Sequence, residues 1–129
     1  MNRTEFQQLA QERLDDAQAL FAVGRWSGAY YLAGYAIECA LKACIAKATQ
    51  AEDFPRRDAS KMYTHSLVEL LGYANLPQPL GREREWSIIK GWSEQCRYDP
   101  PKTQSQAEEI LTAITDTQKG ILIWLQTQW

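Results

Sequence analysis

The sequence predicts an all-α fold: an antiparallel, up-and-down four-helix bundle with one additional short helix. Three observations carry that expectation. The run from Ser27 to Ala48 is apolar or small on nearly every helical face, as a helix reads when other helices surround it. The stretches on either side repeat apolar residues at three- and four-residue steps. No segment alternates with period two, and no internal repeat or low-complexity tract interrupts the pattern.

The first helix is expected from Thr4 to Val23, with Phe6, Leu9, Ala10, Leu14, Ala17, Leu20 and Phe21 as its apolar stripe. Thr4 followed by Gln7 has the form of a capping box, and Gly24 stands where a C-terminal glycine ends a helix. Ser27 is placed to cap the central helix, so a very short turn makes the first two helices antiparallel neighbours. From Thr49 to Thr64 the chain turns polar and aperiodic, forming the longest connection. His65 and Ser66 precede a short third helix carrying Leu67, Leu70, Leu71 and Ala74, which Asn75, Pro77, Pro79 and Gly81 end. A fourth helix is read from Arg82 to Cys96 on the stripe Trp86, Ile89, Trp92 and Cys96. Asp99-Pro100-Pro101 breaks the chain, since neither proline has an N–H to donate. The last helix starts at a Thr103 cap and is read as continuous through Leu125.

A length of 129 residues suits one domain, residues 1–129, with a core that needs no disulfides or metal to hold it. The formal charge of -2 argues against binding nucleic acid through bulk cationic charge, which leaves only a local site. Cys39 and Cys44 sit on the central helix as small apolar residues, and with Cys96 they make an odd count, not a disulfide framework. The start of the chain lacks the apolar segment of a secretory signal, and the central helix carries too much Gly, Ala, Tyr and charge for a membrane span. A cytoplasmic protein that does not engage a membrane is therefore expected.

Several stretches together carry a family resemblance: Gly24-Arg25-Trp26, Ala29-Tyr30-Tyr31-Leu32-Ala33-Gly34-Tyr35-Ala36-Ile37-Glu38 and Leu41-Lys42-Ala43, then His65-Ser66-Leu67 with Leu70-Leu71, and finally Arg97-Tyr98. In these the chain resembles the HEPN family, over a span from about Leu9 to Leu125. The resemblance implies a bundle of four main helices, homodimerisation, and a role in toxin–antitoxin or other prokaryotic defence systems, often beside a nucleotidyltransferase partner. Many members are metal-independent ribonucleases that use an Arg followed, after four to six residues, by a His. Here that Arg is Arg97, and the matching positions hold Lys102, Thr103 and Gln104.

Metal-independent RNA cleavage needs a group that takes the 2′-hydroxyl proton, a donor to the leaving oxygen, and cationic hydrogen bonds to the phosphate. Arg97 suits the last role through its bidentate guanidinium. Thr103 and Gln104 are not proton-transfer groups, so the usual ribonuclease chemistry is in doubt. The candidate catalytic residues are thus Arg97, Lys102 and His65, the only histidine. Candidate ligand-binding residues are Arg97, Tyr98, Glu38, Lys42 and Tyr31. Glu38 and Lys42, four apart on one helical face, either line a cleft with Arg97 or form an ion pair that fixes helix packing, the reading favoured here. His65 suits a capping or packing role as well as a catalytic one. The spacing of Cys39, Cys44, Cys96 and His65 is not that of a zinc site, so no metal or cofactor is expected. Arg56, Arg57 and Lys61 form a basic cluster read as a solvated loop.

Three functions remain in view: a dimeric binding or regulatory module for RNA or a nucleotide with a degenerate ribonuclease motif; an active ribonuclease toxin using Arg97 with Lys102 or His65; and a helical interaction protein with neither ligand.

Overall fold

The computed structural model describes residues 1–49, 52–55 and 63–129. The basic cluster Arg56, Arg57 and Lys61 and most of the polar connection around it lie outside the described residues. Among the described residues there are six α-helices, one 3-10 helix and no strand, in keeping with the helical bundle expected.

Helix α1 (Arg3–Ala22) is capped by Asn2, not by Thr4. Asn2 Oδ1 accepts from the Glu5 N–H and Glu5 accepts in return from the Asn2 N–H, both at 2.8 Å. The box lies two residues earlier than expected because the chain start is pinned: Arg3 N–H donates to the Glu52 carbonyl (2.9 Å) and Phe54 N–H to the Met1 carbonyl (3.0 Å). Asn2 is thereby held extended, the conformation an N-cap requires. Phe6, Ala10, Leu14 and Ala17 bury one face, and Gly24 at φ +80° ends the helix in the left-handed region.

Helix α2 (Trp26–Lys47) forms the antiparallel partner of α1 and the axis of the molecule. It is buried almost all round from Ala33 to Ala46. Its start corrects the expected cap: Ser27 lies inside the first turn, and its Oγ accepts the Lys102 N–H at 2.9 Å instead of a local N–H. Fully buried Ile37, Leu41, Ile110, Ile114 and Leu125 anchor the core, each contributing about 1.5–3 kcal/mol.

Helix α3 (Leu67–Tyr73) is capped by Ser66, whose Oγ accepts from Glu69 N–H at 3.3 Å. The expected fourth helix is divided. Helix α4 (Glu83–Ile89) ends in a turn at Lys90–Gly91, and a 3-10 helix (Glu94–Tyr98) starts afresh on a Ser93 cap. Trp92 lies between them and is 2% exposed, with its ring filling the space that Gly34 leaves on α2. The last helix is likewise two: α5 (Gln104–Thr115), with a Thr103–Gln106 capping box, and α6 (Ile121–Gln126). Asp116 breaks the run by accepting the N–H groups of Gln118 (2.9 Å) and Lys119 (2.8 Å). Helices α3, α5 and α6 and the 3-10 helix pack on α2, and α4 packs on α5. Among the described residues no helix is long and apolar enough to cross a membrane.

Candidate functional site

Two polar groups hang from α2, one from its middle and one from its first turns. In the middle, Glu38 is 1% exposed, and both of its carboxylate oxygens are engaged. Oε2 accepts from Lys42 Nζ at 3.2 Å, one helical turn on, and Oε1 meets His65 Nδ1 at 2.9 Å across to the start of α3. A buried carboxylate needs such partners, because an unpaired charge away from water is costly. The i to i+4 spacing supplies Lys42 and the Ser66 cap of α3 holds its neighbour His65 in reach. Lys42 also lies 5.5 Å from the Phe54 ring, so the pair ties α2 to the segment after it.

His65 is half exposed, and its ring opens on a cleft of about 330 Å³ walled by Trp92, Ser93 and Glu94 opposite Thr64, Ser66 and Glu69. A carboxylate accepts only, so Nδ1 carries the proton of the Glu38 bond and Nε2 is left for the cleft. Burial pushes the Glu94 carboxyl up, but hydrogen bonds from its own N–H and Gln95 and the nearby His65 outweigh it and hold Glu94 below the usual range.

The second group gathers where the 3-10 helix and the Asp99-Pro100-Pro101 turn meet the start of α2. Arg97 is exposed; its Nη1 donates to the Tyr31 hydroxyl at 3.4 Å and its guanidinium lies 4.9 Å from the Tyr98 ring. Bonds to Tyr98 and Tyr31 raise its already high pKa, so it is a fixed cation. Lys102 Nζ pairs with Asp99 at 3.5 Å and lies 4.7 Å from the Tyr30 ring. Burial first, then the neighbouring Cys96 and Asp99, push the Tyr30 hydroxyl up, so it stays neutral beneath that cation.

Glu38, Lys42 and His65 are therefore brought together, as are Arg97, Tyr31 and Tyr98. No direct hydrogen bond or ion pair joins the two groups among the described residues. The nearest link is by ring contact: Tyr31 of the second group lies 6.0 Å, centroid to centroid, from Trp92, which walls the His65 cleft. Lys102 points toward Asp99 and Tyr30, Thr103 caps α5, and Gln104 opens it. Burial pushes the Cys39 and Cys44 thiols up to about 12, which makes them inert core residues. Among the described residues no group of His, Cys, Asp and Glu is arranged to hold a metal.

Sequence reasoning missed Trp92, Ser93 and Glu94 as the wall facing His65, and Tyr30 as the seat of Lys102. The available signal was Gly34: a Cβ there would lie 2.2 Å from the Trp92 ring, so the glycine marks a close approach whose partner the sequence does not name.

Fold and site define an all-helical bundle that presents its polar groups from one long central helix. The chain belongs to the HEPN domain family, whose model matches residues 5–119. No curated protein and no solved structure matches it.

Proposed function

We propose that this HEPN domain is a cytoplasmic, homodimeric binding or regulatory module for RNA or a nucleotide, with a degenerate ribonuclease motif. Its setting would be a toxin–antitoxin or other defence system with a nucleotidyltransferase-type partner. One observation carries the reading: every position where a histidine would succeed Arg97 is occupied by a residue with a structural task. Lys102 binds Ser27 through its N–H and Asp99 through Nζ; Thr103 and Gln104 form the start of α5. Arg97 keeps an exposed guanidinium of the kind that binds phosphate, without a histidine at the matching positions of the chain. Incubation with single-stranded RNA in chelator tests this: the domain binds without cutting, and Arg97→Ala weakens binding. Light scattering reads the dimer.

One contact favours a second reading, an active ribonuclease. The 2.9 Å Glu38–His65 bond orients an imidazole toward a cleft, which is the arrangement of a carboxylate-supported general base. On that reading wild-type protein cleaves RNA, and both Arg97→Ala and His65→Ala abolish cleavage.

A further inference from the structure

Two cation–aromatic contacts and one pair of chain neighbours gather around the first turns of α2. Arg97 lies on Tyr98, Lys102 lies on Tyr30, and Arg25 adjoins Trp26. The last pair lines a groove of about 430 Å³ between the α1–α2 turn and Pro101–Lys102. Gly24 and Gly28 on its floor have no side chains to fill it. Trp26 is half-buried, braced edge-on by Phe21 at 5.0 Å. Arg25 is exposed and has no side-chain partner among the described residues, whereas Lys102 is partly neutralised by Asp99. Apart from the Lys102–Ser27 bond at its edge, neither proposed reading of the domain uses this groove.

We propose that the groove seats one unpaired base of a single-stranded RNA whose backbone runs over Arg97, with Trp26 as the stacking surface and Arg25 and Lys102 beside the flanking phosphates. The inference rests on the RNA-binding reading above and adds to it a subsite for an unpaired base, because a paired base is stacked inside the duplex and cannot reach the indole. Alternating cations and aromatic rings suit this ligand, since every base has a face to stack and every linkage a charge to neutralise. The net charge of -2 makes such a local track the only form the electrostatic attraction can take.

The test is fluorescence anisotropy with a labelled single-stranded RNA, and with the same strand annealed to its complement, at two salt concentrations. Trp26→Ala is expected to weaken single-strand binding about tenfold, with Trp26→Phe recovering most of it. Arg25→Gln, at an exposed position that leaves the fold intact, is expected to reduce the slope of log affinity against log salt by about 0.7. The duplex is expected to bind more weakly than the strand. If Arg97→Ala weakens binding while Trp26→Ala and Arg25→Gln match wild type, the groove is overturned and the binding module stands. Equal affinity for duplex and strand also overturns the groove. Failure of the folded wild type to bind any RNA overturns the RNA-binding reading and the groove with it.

Discussion

Glu38 shows what a buried charge does in this bundle. It is the shared acceptor for Lys42 on its own helix and His65 on the next element, so removing it leaves a largely buried ammonium without its carboxylate. Glu38→Ala should therefore lower stability by about 3 kcal/mol, read from denaturant midpoints. Gly34 makes the complementary point about volume. Alanine is normally the better helix former, yet a Cβ at this position would lie 2.2 Å from the Trp92 ring. Gly34→Ala is expected to destabilise by about 1–3 kcal/mol, and a neutral result would show that Trp92 can move aside. The Glu38–Lys42 pair was legible in the sequence because it depends on helical spacing alone. Its bond to His65, 27 positions away, was not, since only the packing of α3 on α2 creates it.

At the scale of elements, features set by neighbours in sequence were readable and those set by tertiary contact were not. Gly24 and Thr103 end and begin helices as their local chemistry demands, whereas the cap of α3 is Ser66 and not the His65 that suited it in the sequence. The breaks after Ile89 and Thr115 were hidden because buried apolar residues continue on both sides, with Trp92 beyond the first and Ile121 beyond the second. Gly120 is the clue at the second break, for a Cβ there would lie 2.5 Å from the Asp116 carbonyl. The Asp116 carboxyl is held below its ordinary pKa by the N–H groups of Lys119 and then Gln118. A lowered folded value means its contribution is present above the unfolded pKa and is lost as pH falls through the folded one. Stability should thus decline below about pH 4, and Asp116→Asn, which has no proton to gain, should flatten that part of the curve. Chemical denaturation across the acid range measures it.

The whole molecule is organised by α2, which separates two tasks along its length. Its middle, through Glu38, holds the packing of α3 and the segment near Phe54; its first turns, through Ser27, Tyr30 and Tyr31, receive the loop that carries Arg97 and Lys102. This division is why the family was readable from the central helix while the function was not: the helix builds the scaffold, and the proposed function turns on Arg97 and the residues at positions 102–104. The most direct test of binding without cleavage is one incubation of the purified domain with end-labelled single-stranded RNA in chelator, tracking bound and cut RNA together. Bound, intact RNA and weaker binding on Arg97→Ala are the expected result. Cut RNA that persists in chelator and disappears with Arg97→Ala or His65→Ala would contradict it.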